Sequence, residues 1–386
     1  MKEESLLLLS DLQKLINQVV LIDYTIIILE GDKMQHQIVV PTGYMGSGSS
    51  AVTDLLSEVE GYTSTNGNYE YVFMHCPNGV FDLEDKLLIG NNVVRSDEAL
   101  HSFYYCMETL HKNKHYWVGD YNNKIGEEFL EWCNDFINSL IDEKIQDAYW
   151  YYQENPNFRI FIKKAISKVL KVASHNKIKT KPGVRYEEMW VSYVSEEYFY
   201  KCVKNFLEQF FNKMGVKDNN IILDQFLLPH NLFRMDKYFD DNCKVIVVER
   251  DPRDVFLLNK YYWNKANCPV PYSFNVEKFC ENYKKMRLSE KRFDNENVKK
   301  IRFENLIYNY DNEVKSIFEF LGISNEMHIR PRTKLIPEKS KINTQLFLKN
   351  NTFIEEAHYI ENHLKEYIYD FPYMEKEKLT NNNLIL

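Results

Sequence analysis

Nowhere does the chain sustain the eighteen or so apolar residues needed to cross a bilayer. The apolar patches at residues 6–9, 19–22 and 25–29 are interrupted by charge, and Glu3 and Glu4 stand where a secretory leader carries positive charge. The expectation is a cytoplasmic protein without a membrane span, whose residues 1–35 form an accessory helix and strand or an N-terminal extension. No C-x-x-C pair occurs, and the seven cysteines are scattered and odd in number. That favours free thiols in a reducing compartment over a disulfide framework or a zinc site. Positive charge is not in excess: Lys and Arg number 48 against 56 Asp and Glu, for a net charge of −8. A general nucleic-acid binder is therefore not expected, although a local basic pocket is compatible with this balance. No segment repeats with a period of 20–50 residues. What the sequence does have is apolar and aromatic material, 44% and 15% of its 386 residues, enough for a large core and for two or three domains by length.

One stretch organises the rest. Ile38-Val39-Val40 is a continuous apolar run, followed by Gly43, Gly46 and Gly48 among small hydroxyl residues, and then by Val52, Leu55, Leu56 and Val59 at helical spacing. Strand, glycine turn and helix in that order form an anion cradle, in which backbone N–H groups approach an oxyanion closely. Gly43 and Gly48 have the separation found in a P-loop, with Ser49 and Ser50 after them. The lysine that reaches the outer phosphates of ATP is missing, which argues against an ordinary ATPase or kinase. The plainer reading is a joint that needs glycine only for close packing.

Residues 70–75 read as a second strand, and 60–68 as a loop. Helical spacing follows at 82–88, 99–110, 126–141, 158–173 and 195–214, broken at Lys181-Pro-Gly183. Further strands are expected at 220–224, 243–249 and 298–303, each followed by a loop and a helix. Gly322 fits a C′ position after a helix over 313–321, and a last helix is expected over 352–369. The pattern predicts an α/β fold: a P-loop-like parallel sheet flanked by helices, with a large helical insertion at about 85–215. The boundaries read as an extension 1–35, an α/β domain 36–372 and a polar tail 373–386. In such sheets ligands sit at the carboxyl ends of strands, where the glycine loop, the Asp224 loop and the Arg250 corner all fall.

Three motifs in this order resemble the sulfotransferases that use 3′-phosphoadenosine 5′-phosphosulfate (PAPS). They are the loop from Gly43 to Ser50, the strand ending in Arg250-Asp-Pro252-Arg-Asp254, and Arg302-Phe-Glu304-Asn-Leu306 with Phe320-Leu-Gly322. The resemblance covers about residues 36–60 and 220–345, and is nearest to bacterial members with a Gly-Ser-Gly-Ser-Ser loop. It implies that Gly46, Ser47, Gly48, Ser49 and Ser50 hold the 5′-phosphosulfate and that Arg250 holds the 3′-phosphate. Gly46 stands where the family usually has Lys or Arg, Ala51 where it has an aromatic, and Leu258, beside Asn259, where it has a phosphate-binding serine. The resemblance thus implies PAPS as donor, no metal, and a hydroxylated acceptor, a carbohydrate or surface glycan. Lys339, Lys341 or Arg253 would supply the charge the loop lacks.

For the base that takes the acceptor proton, His230, Asp224, Glu70 and His75 are candidates. Asp224 and His230 follow a strand on the ligand side; Glu70 and His75 bracket the segment where the family often keeps its base. Gln225 and Asn231 are candidates for sugar hydroxyls, with loop capping as the plainer role. His111 and His115 have the i, i+4 spacing of a metal pair without an acidic partner, so a solvated helix face is expected there. Two alternatives remain open at this point: a P-loop nucleotide kinase or NTPase using Asp224 or Glu249 for magnesium, and a non-catalytic nucleotide- or glycan-binding relative.

Overall fold

The computed structural model of the protein describes residues 36–372, apart from 45, 65–68, 116, 147, 149, 151–157, 176–187, 216–219 and 267–271. The expected extension 1–35, the tail 373–386 and the Lys181-Pro-Gly183 break lie outside the described residues. The strands β1 (Ile38–Gly43), β2 (Tyr62–Ser64), β3 (Asn220–Ile222), β4 (Cys243–Glu249) and β5 (Val298–Arg302) form one all-parallel sheet in the order β2-β3-β1-β4-β5. Ile38 to Gly43 run opposite Cys243 to Val248 without a break in register. Ile38, Val40, Val245 and Val247 enter the core on one face, while Val39, Ile246 and Val248 enter that on the other. Both faces are covered, which is why these strands read as unbroken apolar runs.

The helices that position the site are α1 (Ser50–Leu56), α2 (Val80–Leu88), α3 (Val93–Lys112), α4 (Phe129–Leu140), α5 (Phe158–Ala173), α6 (Glu196–Met214), α7 (Pro252–Leu257), α8 (Val276–Ser289), α9 (Tyr310–Leu321) and α10 (Ile354–His363). α3 to α6 lie between β2 and β3 in the chain. Their region also holds two small antiparallel hairpins, Lys114–His115 with Val118–Gly119 and Glu143–Gln146 with Glu188–Val191, neither of which joins the central sheet. Gly322 adopts φ +70° after α9, the left-handed C′ geometry expected of it. The expected helix over 352–369 is shorter, confined to α10 with 3₁₀ turns on either side.

One strand differs from expectation. Residues 70–75 are not extended in the sheet; the strand is β2, inside the stretch expected to be a loop. Tyr62 and Thr63 have side chains that suit an edge strand, and they pair with Asn220 and Ile221. Burial alternates only as far as Phe73; Met74 is buried as well, and residues 73–75 form a turn. The segment is instead anchored by aromatic packing. Phe73 meets Phe210 edge to face at 5.0 Å and Phe226 at 5.3 Å, and Tyr71 meets Phe210 at 5.2 Å.

Two polar networks, one partly buried and one centred on a buried carboxylate, hold the surrounding connections. Arg234 pairs with Glu84 and bidentately with Asp85 of α2, and Tyr200 and Tyr238 donate to Glu84 at 2.6 and 2.7 Å. This ties the 3₁₀ turn Pro229–Arg234, and with it His230, to α2. The fully buried carboxylate of Glu58 accepts the backbone N–H groups of Arg332, Lys334 and Leu335 and the Nε2 proton of His328. Glu58→Ala leaves those donors unpaired, the Leu335 N–H in a buried site and the others in partly buried ones. The expected loss is about 3–5 kcal/mol of unfolding free energy, measured by denaturant titration; a loss below 1 kcal/mol would refute this role.

Candidate active site

The loop after β1 is built by steric necessity. A Cβ on Gly43 would stand 2.2 Å from Ser47 Oγ and 2.4 Å from the Val248 carbonyl oxygen, a backbone atom that cannot retreat. Gly46 and Gly48 adopt φ +84° and +88°, and a Cβ on Gly48 would lie 2.7 Å from the Phe303 ring. The turn closes with Ser47 N donating to Tyr44 O, and the first bond into α1 runs from Ala51 N to Gly48 O. The N–H groups of Ser49 and Ser50 precede that bond and have no helical partner. Ser47 Oγ is buried without a hydrogen bond. Gly48→Ala is expected to cost about 1–3 kcal/mol of stability through backbone strain alone. A lowered melting temperature is the result that checks this.

Arg250 leaves β4 on the same edge. Its Nη1 donates to the Gly46 carbonyl oxygen at 2.9 Å, its Nη2 donates to the Asn343 carbonyl, and its guanidinium lies 4.8 Å over the Phe303 ring. Burial opposes the arginine charge, and the carboxylates of Asp254, Glu304 and Asp251 favour it. Arg250 Nε and Asn343 Oδ1 find no hydrogen-bond partner. Asn259 and Trp263, one turn apart on the helical stretch after α7, line the Gly46 side: Trp263 stands 3.3 Å and Asn259 3.7 Å from where a Gly46 Cβ would be. Asn259 Nδ2 donates to Val255 O, leaving its buried Oδ1 unpaired. Ser47 Oγ, Asn259 Oδ1 and Arg250 Nε are therefore buried polar atoms without partners in or beside the glycine turn.

The rest of the Arg-Asp-Pro-Arg-Asp corner is structural. Asp251 accepts from Arg253 Nε and Nη2 and from Tyr369 N. Asp254 accepts the N–H groups of Gln345 and Leu346, and Glu304 accepts that of Asp251. Arg253, a candidate for the missing loop charge, is instead buried in its pair with Asp251 and against Phe347. The connection carrying Lys339 and Lys341 is pinned through Asp254. Lys339 is exposed there and Lys341 is half-buried, two residues before Asn343. Glu249, a possible magnesium ligand, pairs with Arg287 at 2.5 Å and approaches Arg302 at 4.0 Å.

Two candidate bases have raised proton affinities, and the charge of Glu70 acts on Asp224 beside the loop. Burial pushes the Asp224 carboxyl up to about 7; the hydroxyls of Ser49 and Thr53 pull it back, and the charges of Glu70 and Asp54 push it further. Its Oδ1 accepts no hydrogen bond. Burial likewise raises Glu70 to about 7, against a hydrogen bond from Trp117. Glu70 is held to the small hairpin by its own N–H, which donates to Trp117 O. His75 is pushed down to about 4 by burial and donates from Nε2 to the Gln225 carbonyl at 2.9 Å. That contact supports Gln225, which has φ +56° and bridges the loop by accepting from Thr42 Oγ1 and donating to Ser49 Oγ. His230 stands edge-on to Tyr44, 6.0 Å between ring centroids, and Asn231 belongs to the same 3₁₀ turn. His111 and His115 do not share a face: His111 is buried and stacked over Phe129, while His115 is exposed beyond the end of α3. No cluster of metal-ligating side chains occurs among the described residues.

Phe303, Trp263 and Asn343 were not named as candidates from the sequence. Trp263 lies four residues after Asn259, so helical spacing was a usable signal; Asn343 acts through its carbonyl, which leaves no trace in the sequence. A separate cavity of about 430 Å³ opens at the amino ends of β4 and β5, lined by Asp236, Asp240, Asp241 and Glu296 among others. Those carboxylates would repel an anionic donor.

Comparison with known proteins gives three similar solved structures, each with a TM-score of 0.35. The sulfotransferase domain of the Synechococcus PCC 7002 olefin synthase is 12% identical, over 87% of this chain and 95% of that one. A Mycobacterium avium sulfotransferase is 11% identical, over 90% and 79%. The sulfotransferase domain of the curacin biosynthetic pathway is 12% identical, over 90% and 95%. No curated protein matches the chain. The model of the sulfotransferase family matches residues 43–327, from the first glycine of the loop past the end of α9, and on that match the chain belongs to the sulfotransferase family.

Proposed function

We propose that the protein transfers a sulfuryl group from PAPS to a hydroxyl of a carbohydrate or surface glycan. The observation that carries this reading is the contact of Arg250 with the carbonyl of Gly46, which joins the arginine corner to the glycine turn across adjacent strands. The unpaired Ser47 hydroxyl and Arg250 Nε are donors that suit an anionic ligand, while the free amide oxygens of Asn259 and Asn343 suit its hydroxyl or amino groups. In this reading the N–H groups and hydroxyls of residues 46–50 hold the 5′-phosphosulfate, Arg250 and Asn259 hold the 3′-phosphate, and the Trp263 ring lies against the nucleoside. Lys339 and Lys341 supply charge to the leaving oxygen.

Sulfuryl transfer then needs alignment and a base rather than a covalent intermediate. Asp224 takes the acceptor proton as the acceptor oxygen bonds to sulfur. The bond from sulfur to the bridging phosphate oxygen breaks, and adenosine 3′,5′-bisphosphate leaves with that electron pair. A carboxylate raised to about 7 is matched to this task, because it is basic enough to accept the proton yet largely ionised above pH 7. Glu70 keeps Asp224 basic, and Gln225 orients Ser49. The test is incubation with sulfur-35-labelled PAPS and a panel of oligosaccharides. Label moving to a glycan is the expected result. Label remaining on PAPS with every glycan, while lipid or protein hydroxyls accept it or ATP is hydrolysed instead, would overturn the reading.

A further inference from the structure

Along one face of α5, large aliphatic side chains are left exposed among the described residues. Ile162, Ile166, Val169, Leu170 and Val172 are exposed by 41, 54, 67, 43 and 72%. The first four follow the i, i+4, i+7, i+8 spacing of a single helix face, and Val172 adjoins it. The exposed Lys168 and Lys171 lie toward the other side of the helix by that same spacing. The helix contains five basic residues and no carboxylate. From residue 155 to 186 the sequence carries seven lysines and two arginines without one Asp or Glu, in a chain of net charge −8.

We infer that α5 docks the protein onto an anionic lipid surface, lying in the plane of the interface with Ile162, Ile166, Val169 and Leu170 turned into it. A stripe of large aliphatic side chains backed by lysines on a helix of some 24 Å suits shallow burial among headgroups and acyl chains. The charge selects this occupant. A second copy of α5 would set five cations against five, and a neutral apolar partner would give the lysines nothing to pair with. The phosphates of an anionic bilayer attract juxtaposed lysines over about a Debye length. This inference does not rest on the proposed reaction; it places the protein where a hydroxylated acceptor would be displayed at a membrane face.

The test is co-sedimentation of the full chain with phosphatidylcholine vesicles and with vesicles containing one-third phosphatidylglycerol. The expected result is at least tenfold more protein on the anionic vesicles at 0.1 M salt, most of it released at 0.5 M. The double variant Ile166→Asp with Val169→Asp should lose binding to both kinds of vesicle. Lys168→Glu with Lys171→Glu should lose only the preference for anionic lipid. The four positions are exposed, so both variants should keep the wild-type melting temperature and transfer to a soluble acceptor. Equal binding to neutral and anionic vesicles, or full binding by the aspartate variant, would overturn the inference. So would a wild-type dimer in solution that this variant abolishes, or a stoichiometric complex with an acidic peptide formed in preference to vesicles.

Discussion

Asp224→Asn is expected to lower the turnover number by about 100- to 10,000-fold, with little change in KM for PAPS, and at the same time to stabilise the free protein at pH 8. Both effects come from the same burial. The carboxyl moves from 3.8 to about 7 on folding, so the native state holds its proton over a window in which the unfolded chain has released it. Below pH 3.8 both states are protonated and the site costs nothing extra. As pH rises through the window stability falls, and above about 7 the full cost of a buried charge is present, a few kcal/mol at most. Asparagine keeps the shape and removes the charge. Its melting temperature should exceed that of the wild type at pH 8 and match it near pH 4. Wild-type kcat/KM should rise along an acidic limb and level off above about pH 7. Glu70→Gln should move that limb to lower pH, because the charge of Glu70 helps to raise Asp224. Turnover preserved in Asp224→Asn and lost in Glu70→Gln would assign the base to Glu70.

The second large effect is expected at Arg250. Arg250→Ala should weaken adenosine 3′,5′-bisphosphate by roughly 30- to 1,000-fold, the equivalent of about 2–4 kcal/mol for a lost charge-assisted hydrogen bond to phosphate. The substitution also strips the carbonyls of Gly46 and Asn343 of a donor, so it will cost stability. Adenosine 5′-phosphosulfate, which lacks the 3′-phosphate, separates the two effects. If Arg250 grips the 3′-phosphate, this ligand binds wild type and variant alike, as read by calorimetry. If both ligands weaken equally, Arg250 merely braces the loop. Arg250→Lys keeps the charge and loses the planar fork, and should recover only part of the affinity.

The motifs that sequence reading found are those in which the requirement is local. Gly46 and Gly48 need positive φ, and Gly43 sits too close to Val248 to carry a side chain. β4 is a run of apolar residues because both of its faces are covered. Such constraints leave the residue type itself as evidence. The segment 70–75 misled for the opposite reason: its apolar residues resemble a strand, but Tyr71 and Phe73 pack on the aromatic side chains of α6 and the Asp224 loop, and the short edge strand falls elsewhere. His75 and Arg253 had the chemistry of site residues, yet the Gln225 carbonyl engages one and Asp251 the other.

The amino-acid sequence by itself determined the parallel α/β architecture, the glycine turn between β1 and α1, and the arginine corner after β4. Each follows from the backbone freedom, hydrophobic period and chain direction of a few consecutive residues. Only the tertiary structure decided that Glu70, in the connection between β2 and α2, comes close enough for its charge to act on Asp224, that Gln225 bridges Thr42 and Ser49, and that Phe303 lies beneath both Gly48 and Arg250. Those relations join residues up to some 250 positions apart in the chain, and the proton affinity of a carboxyl depends on how much water its distant neighbours exclude, which no local pattern records.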